Sequence, residues 1–508
     1  MPPMDLPQFN TRRRDFLRQA ACAAVGTLSA KATLRDLWLI KTGAGQEAFT
    51  DYKALICVFM AGGNDSNNLV IPIGADYATY ASIRQNLALP AAAVLPLTSL
   101  NPDGRDYALH PSCQELATLF GEQKAALLFN AGPLVQPMTR AQYQNKSVPK
   151  PPQLFSHSDQ VTHWQTSLPD QPPKSGWGGR IADLLHPYQY ELLDGVPTAN
   201  SAKISLCTSL AGANTFEVGN QFAQFHVSTS GAVTLGGVTG SRLQAVKDIL
   251  SLNTANLQRN AYADVTKRAI EIGDTLNAAV APYLDPTDAS YTNQNNAAPW
   301  RWQTGLSGIY TSGQVGGFPN TSLGRQLKMI ARMIAGRTPL AMQRQIFFAQ
   351  VGGYDTHTAQ VGSGTAPTDT TVGSHANLLN ELSEALYAFQ RAMEQLTLGN
   401  KVTAFTASDF GRTFPTNGQG SDHGWGSHHL IVGGAVRGGR TFGTFPTLAV
   451  NGPDDTSTGR WIPTSSVDEY SATLAKWFGV AESNLGTVFP NLGRFAKPDL
   501  GFMTPSIV

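Results

Sequence analysis

Four largely apolar, strand-like runs along the chain each end in a short polar or glycine-rich segment. They cover residues 54–60, 125–129, 345–351 and 401–407. Runs that do not alternate with polar residues are typical of strands buried on both faces of a parallel sheet. Helical spacing of apolar residues occurs between them, at 114–120 and 378–398. This alternation predicts an α/β fold with a central, mainly parallel sheet flanked by helices.

The middle of the chain departs from this alternation. Residues 214–240 alternate as in hairpins, 241–281 have helical spacing, and 282–317 are rich in Asn, Thr, Gly and Pro. Because strand-like units resume afterwards, we interpret residues from about 214 to 320 as an inserted, cap-like segment. It belongs to a single α/β domain that extends over 51–508, and a helical pattern at 468–478 closes that domain.

The N-terminal residues have the pattern of an export signal. Arg12-Arg13-Arg14 precedes Asp15-Phe16-Leu17, and an uncharged, alanine-rich run follows over 20–30. That run is too short to span a bilayer, and Ala30-Lys31-Ala32 offers a cleavage site. We therefore predict a twin-arginine signal peptide at 1–32, a linker at 33–50 and recognition by the twin-arginine translocase. The mature protein is expected to be periplasmic or secreted, without a transmembrane helix. An exposed basic arm followed by a helix is the alternative.

Composition narrows the range of partners. The 508 residues include 37 Lys and Arg against 36 Asp and Glu, which gives a formal net charge of +1. A chain without an overall positive field has little to hold a polyanion, so we predict no nucleic-acid partner. Three of the four cysteines follow the predicted signal. An odd and sparse set of cysteines does not form a disulfide framework.

Acidic residues follow three of the strand-like runs. Asp65, Asp355 and Asp409 each come shortly after one of them. In an open parallel sheet, the loops at the carboxyl ends of the strands converge. These carboxylates can therefore meet although they are far apart in sequence. Each aspartate taken alone is also a common turn former or helix N-cap.

Histidines cluster beside the same segments. His357 is two residues after Asp355, and His423 and His428 lie in a glycine-rich segment after Asp409. Carboxylates with imidazoles bind zinc, manganese or iron, whereas carboxylates with amides and water suit calcium or magnesium. The sequence therefore predicts one or two divalent metal ions, with zinc, manganese, calcium and magnesium all open. For any one histidine, a hydrogen-bonded loop residue is the ordinary alternative.

Two further residues are candidates for the chemistry of ester cleavage. Ser156 precedes a helical pattern, where a helix dipole and a nearby metal would lower the pKa of its hydroxyl. It is also an ordinary N-cap residue, and Ser66 is a second candidate nucleophile. Arg412 is a candidate clamp for ester oxygens, because its fork matches a tetrahedral oxyanion. A loop salt bridge is the alternative for this arginine. A serine hydrolase without metal is less favoured, since no Gly-x-Ser-x-Gly elbow follows a strand.

The order of several short motifs resembles a known family. The motifs are Gly62-Gly63-Asn64-Asp65 with Asn68 and Pro72, Ser156-His157, Gly176-Trp177-Gly178-Gly179-Arg180, Asp355-Thr356-His357, Ser408-Asp409-Phe410-Gly411-Arg412-Thr413 and Asp422-His423. In this order they resemble the bacterial domain of unknown function 1501 family, and the resemblance spans essentially the whole mature chain. That family is exported by the twin-arginine route and is distantly similar to the alkaline phosphatase and sulfatase superfamily.

The resemblance implies an alkaline-phosphatase-like sheet and a metal centre of Asp and His residues. By this analogy, Asp65 and Asp409 hold one metal, while Asp355, His357 and a histidine of the glycine-rich segment hold another. The chain departs from the superfamily pattern, because Phe410 follows Asp409 where phosphatases have a histidine. The Cys-x-Pro-x-Arg motif of sulfatases is also absent. A one-metal site, or a site that does not catalyse, therefore stays open.

Together these observations predict an exported metal-dependent hydrolase of phosphate or sulfate esters, acting on a small molecule or a glycan. The attacking group is expected to be Ser156, by analogy with the superfamily, or a metal-bound water. The alternative is a non-catalytic binding or assembly protein of the cell envelope that keeps the same fold. Turnover of a generic aryl phosphate or sulfate would distinguish the two.

Overall fold

The computed structural model describes residues 49, 51–185, 192–193, 196–197, 204–222, 224–232, 238–252, 256–283, 317–364 and 366–504. All of them belong to one compact unit, Ala48–Val508. The predicted signal peptide at 1–32 lies outside the described residues. Nearly all of the predicted linker at 33–50 and of the connector at 282–317 lies outside them as well.

The described strands are short at the edges of the sheet and long at its centre. In chain order they are β1 (Lys53–Met60), β2 (Val70–Ile73), β3 (Leu95–Leu97), β4 (Asp106–Leu109), β5 (Ala125–Gly132), β6 (Leu192–Leu193), β7 (Val196–Pro197), β8 (Cys207–Ser209), β9 (Phe225–Ser228), β10 (Gly231–Ala232), β11 (Arg344–Val351), β12 (Val402–Ser408), β13 (Ser427–Val432), β14 (Thr441–Gly443) and β15 (Ser465–Ser466).

Helices connect most of these strands. The described helices are α1 (Tyr77–Arg84), α2 (Gln114–Gly121), α3 (Arg140–Asn145), α4 (His157–Thr166), α5 (Trp177–Leu185), α6 (Gly240–Leu250), α7 (Leu257–Val280), α8 (Ser322–Ala335), α9 (Ser374–Gln395), α10 (Val467–Phe478) and α11 (Leu485–Val488). None of them combines the length and the apolarity that a membrane span requires.

The central sheet is mixed but mostly parallel. Its order is β10-β9-β8-β11-β1-β12-β13-β5-β14, and β15 also pairs with β5. β1 runs parallel to both β11 and β12, whereas β13 runs antiparallel to β12 and β5. β2, β4 and β3 form a separate antiparallel sheet. The predicted α/β architecture, with a mostly parallel central sheet flanked by helices, is confirmed.

Both faces of the central sheet are covered, as β1 shows. Ile56 and Val58 face one apolar core and are fully buried, while Leu55, Cys57 and Phe59 face a second core and are nearly so. An apolar run without alternation is the sequence pattern that this double burial requires. The four predicted runs accordingly form β1, β5, β11 and β12, and the predicted helices at 114–120, 378–398 and 468–478 form α2, α9 and α10.

Two segments differ from the expectation. Within 214–240, the described residues form one short hairpin, β9 and β10, rather than several, although 241–281 is helical as expected in α6 and α7. The glycine-rich segment around residues 422–429 is not wholly a loop, because β13 begins at Ser427 and is completely buried. His428 is therefore part of the sheet.

Candidate metal centre

The loops after three adjacent parallel strands, β11, β1 and β12, form the floor of the candidate site. Gly62, after β1, has a φ of +118°, and a Cβ there would lie 2.4 Å from the backbone nitrogen of Asp355. Only glycine therefore lets the β1 and β11 loops lie this close. The backbone nitrogen of Gly62 also donates to Oδ1 of Asp409, at 3.0 Å, which ties in the β12 loop.

Imidazole nitrogens converge on the carboxylate of Asp355. Nε2 of His157 lies 3.5 Å from Oδ2 of Asp355, and Nε2 of His423 lies 3.3 Å from Oδ1. Among the described residues, these three form a group whose donor atoms all lie within 4.8 Å of one another. Nε2 of His357 is 3.1 Å from Oδ1 of Asp355 and 2.9 Å from Nε2 of His423. The site thus gathers three imidazoles and one carboxylate.

Each of the three histidines is held through its other ring nitrogen, Nδ1, by an oxygen acceptor. The pairs are His157 with Oδ2 of Asp409 (2.7 Å), His357 with Oδ1 of Asp422 (2.9 Å) and His423 with the carbonyl oxygen of Phe155 (2.8 Å). A carbonyl or an ionised carboxylate can only accept, so Nδ1 carries the proton. Each neutral ring then presents the lone pair of Nε2 to the centre, which is how metal-binding histidines are usually oriented.

His157, Asp355 and His423 each place a donor atom within 4.8 Å of the others, as ligands of one divalent cation would, and His357 lies beside this group. Two neutral rings whose Nε2 lone pairs face each other at 2.9 Å, as in His357 and His423, repel unless a cation or a proton lies between them. Ligands about 2.0–2.1 Å from a tetrahedral zinc ion are separated by about 3.3 Å from one another. The separations between the oxygens of Asp355 and the three histidines, 3.1 to 3.5 Å, lie around that value, whereas the 2.9 Å between Nε2 of His357 and Nε2 of His423 is shorter.

Arg412 keeps the central carboxylate ionised. Its side chain is fully buried, and Nη1 donates to Oδ1 of Asp355 at 2.7 Å. Partial burial by itself raises the pKa of Asp355, but the hydrogen bond and charge of Arg412 outweigh it and hold the pKa below its usual value. The carboxylate of Asp355 is 44% exposed, so the centre is open to solvent on one side.

Arg412 does not have the geometry of an oxyanion clamp. Nη2 donates to the carbonyl oxygen of Ser421 at 2.6 Å, and Nη1 also approaches the carbonyl oxygen of Gly62 at 3.4 Å. With Asp355, these acceptors occupy the two Nη groups beneath the cluster. The structure therefore places this arginine in a positioning role, closer to the salt-bridge alternative.

Protonation of His157 competes with a cation. Its hydrogen bond to Asp409 is the largest influence and raises the pKa of His157 above the ordinary value of 6.5. A histidine must be neutral at the nitrogen that binds a metal, so a proton on this ring opposes metal binding. The His423 pKa is lowered, mainly by burial, which favours its neutral form.

Asp65 lies outside the cluster. Its carboxylate is fully buried and bound by Arg84 of α1 and by Gln360. Burial by itself raises the pKa of Asp65, but the charge of Arg84 outweighs it and lowers the pKa. The sequence predicts that Asp65 joins the other acids at one centre. The structure instead pairs it with Arg84, a buried positive charge that α1 supplies. Nothing in the spacing of the sequence marks that pairing.

His428 also lies outside the cluster, inside β13. Its Nδ1 accepts a hydrogen bond from the backbone nitrogen of Asn130 at 3.0 Å, and its ring stacks on Phe445 at 4.9 Å between centroids. Burial lowers the pKa of His428 to about 3. This neutral ring packs in the sheet, so the structure associates His423, but not His428, with Asp355.

Ser156 occupies the N-cap position of α4, but its hydroxyl does not enter the cluster through any hydrogen bond. Oγ donates to Oδ2 of Asp159, at 2.6 Å, within the same helix. The next residue, His157, extends into the centre instead. His157 and Asp422 were not predicted as site residues. Their signals were present, since each adjoins a predicted residue, Ser156 or His423.

Comparison with known proteins gives a family match over part of the chain but no activity. Residues 287–460 match the family model described as "Protein of unknown function (DUF1501)", which supports the family that the motifs indicated. This range includes Asp355, His357, Asp409, Arg412 and His423. No curated protein matches the chain.

Two solved structures are similar at low identity. The crystal structure of Ps i-CgsB in complex with k-i-k-neocarrahexaose is 8% identical, with a TM-score of 0.32, over 88% of this chain and 78% of that one. The C-terminal periplasmic domain of EcEptC from Escherichia coli, in complex with Zn, is 11% identical, with a TM-score of 0.25, over 76% and 74%. At these TM-scores neither likeness supports an inference about this chain.

Proposed function

We propose that this chain is an exported metal-dependent hydrolase of phosphate or sulfate esters. The observation that carries the proposal is the shared orientation of His157, His357 and His423. Each has Nδ1 held by an oxygen acceptor and Nε2 directed at the centre around Asp355. Structural histidines can satisfy both nitrogens in many ways, whereas three rings with one common orientation are what a metal centre requires.

The donor chemistry favours a single ion of the zinc or manganese type. Three imidazoles and one carboxylate match the ligands of those metals better than the oxygen-rich sets of calcium or magnesium. When bound, such a cation polarises an ester oxygen and lowers the pKa of water. Arg412 holds Asp355 ionised for this task, and Asp409 orients the ring of His157.

Water is the nucleophile that the geometry favours over serine. Ser156 is engaged with Asp159, while the carboxylate of Asp355 is open to solvent on the side where a substrate would approach. The ester class itself rests on the motif resemblance to the alkaline phosphatase and sulfatase superfamily. From that resemblance we also propose an alkaline-phosphatase-like sheet, a cap over about 214–320, and export by the twin-arginine route to the periplasm or beyond.

The test is metal content followed by turnover. Purified mature protein should bind about one equivalent of zinc or manganese, as measured by elemental analysis. It should hydrolyse 4-nitrophenyl phosphate or 4-nitrophenyl sulfate, with activity removed by a chelator and restored by the metal. His357→Ala should lose both properties, while the matched control His226→Ala, at an exposed histidine of β9, should keep them.

Two outcomes would contradict the proposal. Absence of stoichiometric metal would remove the centre itself. Bound metal without turnover of either ester would instead favour a non-catalytic binding or assembly protein of the cell envelope. That result would agree with the burial of Arg412 and with the engagement of Ser156 by Asp159.

A further inference from the structure

A cleft of mixed polar and apolar lining lies beside the candidate metal centre. Its volume is about 790 Å³, within the range of roughly 300–1,000 Å³ that is usual for small-molecule sites. It is bordered by the turn after α1, by the segment that follows His357 and by the 418–419 turn. Its polar side chains are Gln85, Asn86, Thr358, Ser363, Asp369, Thr370 and Gln419.

The cleft and the metal centre share a wall. Thr358 directly follows His357, and Gly418 and Gln419 directly follow Asn417. Nδ2 of Asn417 donates both to Oδ1 of Asp422 (2.9 Å) and to the carbonyl oxygen of His357 (3.1 Å). The loop that orients one ring of the centre therefore also forms one side of the cleft. A molecule that reaches the centre past His357 would extend along this loop.

The lining of the cleft has hydrogen-bonding capacity but no positive charge. Among the described lining residues there is neither lysine nor arginine. The single carboxylate, Asp369, accepts a hydrogen bond from the backbone nitrogen of Ala366 at 2.7 Å. Such a surface disfavours an anion, because nothing compensates the negative charge that the anion would bring near Asp369. The part of a ligand that lies here is therefore not anionic.

Four of the lining side chains are available to a ligand. Gln85, Thr358, Ser363 and Gln419 make no side-chain hydrogen bond within the described part of the chain. Amides and hydroxyls both donate and accept, as the hydroxyl groups of sugars do. Another lining residue, Asn86, is already engaged, because its Nδ2 donates to the carbonyl oxygen of Gly418 at 3.0 Å. One edge of the cleft is therefore fixed by a hydrogen bond, while four polar side chains stay available.

From this lining we infer that the cleft binds the neutral, polyhydroxylated part of a saccharide whose ester group lies at the metal centre. The inference rests on the proposed function and adds a substrate class to it. None of the described lining residues is aromatic, so a sugar ring has no such surface to stack on. The affinity for an unesterified saccharide should therefore be weak, on the order of 1 mM.

Saccharide binding can be measured apart from catalysis. We would titrate the full mature chain with neutral tetrasaccharides of glucose, galactose and mannose and follow the sugars by saturation-transfer NMR. Gln419→Ala removes a free amide at the edge of the cleft, and Ser363→Leu replaces a free hydroxyl by a larger apolar side chain that narrows the cleft. Both should weaken binding at least tenfold. The matched control, Gln258→Ala on an exposed face of α7, should bind as the wild type does.

The outcomes separate this inference from the proposed function. Binding of at least one neutral tetrasaccharide that survives in His357→Ala and is weakened in Ser363→Leu supports the cleft, whether or not esters are turned over. Failure of all three sugars to bind the wild type would overturn the inference, and so would wild-type affinity in the folded variants Ser363→Leu and Gln419→Ala. Displacement of the sugar by inorganic phosphate or sulfate at the cleft would also overturn it, since that result would make the cleft an anion site.

Discussion

Replacing Asp409 by Asn tests how the protein orients His157. The carboxylate of Asp409 is only 3% exposed and serves two donors, Nδ1 of His157 at 2.7 Å and the backbone nitrogen of Gly62 at 3.0 Å. Asparagine has nearly the same shape but one acceptor oxygen and one donor group. It can satisfy Gly62 or His157, but not both.

Either arrangement weakens the centre. If the amide oxygen faces Gly62, the amide nitrogen faces His157 and forces its proton onto Nε2, the nitrogen that would bind a cation. If the amide is flipped, its own N–H group faces the backbone N–H of Gly62, and both donors are left without an acceptor. Loss of such an orienting group typically lowers metal affinity 10- to 100-fold, or about 1.4 to 2.8 kcal/mol. Because a wrong tautomer removes a ligand, we expect the upper end of this range.

Competition with a chromogenic chelator at pH 7.5 would measure the zinc affinity of each variant, with circular dichroism to confirm folding. Asp422→Asn gives a graded comparison, because Asp422 is 46% exposed and water can replace its hydrogen bond to His357. Its effect should be at most about tenfold. Asp248→Asn, on the exposed face of α6, should have none. A zinc affinity of Asp409→Asn within a factor of about two of the wild type would refute the reasoning.

Three further predictions concern residues around the centre and in the core. Arg412→Lys should lower the free energy of unfolding by about 2–3 kcal/mol, because one ammonium cannot reach all the acceptors that the guanidinium serves, Asp355 among them. An unchanged midpoint of urea unfolding would contradict this. Ser156→Ala should leave zinc affinity and ester turnover within about threefold of wild type, because the hydroxyl is bound to Asp159; abolished turnover would restore Ser156 as the nucleophile. Burial raises the pKa of Glu217 from 4.5 to about 8, so the folded protein keeps this carboxyl neutral and loses stability as the pH rises from about 4.5 through 8. Glu217→Gln should therefore flatten the dependence of the melting temperature on pH in that window, and an equally steep profile in both proteins would rule the explanation out.

The sequence predicts the fold well where burial is complete. Four strands are buried on both faces, so their sequences are long apolar runs that can be recognised without knowledge of the tertiary structure. They are β1, β5, β11 and β12. The short edge strands leave no comparable pattern. β8, β9 and β10 together contain few residues, and their strand conformation depends on pairing with β11 and with each other.

Among the candidate site residues, the difference lies in what each side chain meets after folding. Asp355 and His357 lie in the loop that follows β11, so the rule that loops converge at strand ends locates them correctly. Asp65 satisfies the same rule and still lies outside the cluster, because its carboxylate forms a buried ion pair with Arg84. His428 has the right neighbours in sequence, but the apolar residues that follow it extend β13 and bury its ring.

The groups that orient the histidines are the least visible in the sequence, and they decide what the centre can do. The acceptor for Nδ1 of His423 is the backbone carbonyl of Phe155, which any residue at that position would provide. The acceptor for His157 is an aspartate about 250 residues away, and only the pairing of β1 with β12 and the start of α4 bring the two together. Because a histidine binds a cation through whichever nitrogen its neighbour leaves free, residue types and spacing can name possible ligands but not their tautomers. The common orientation of three rings is therefore a property of the fold. It is also the strongest support for a metal centre, since it arises from three unrelated acceptors.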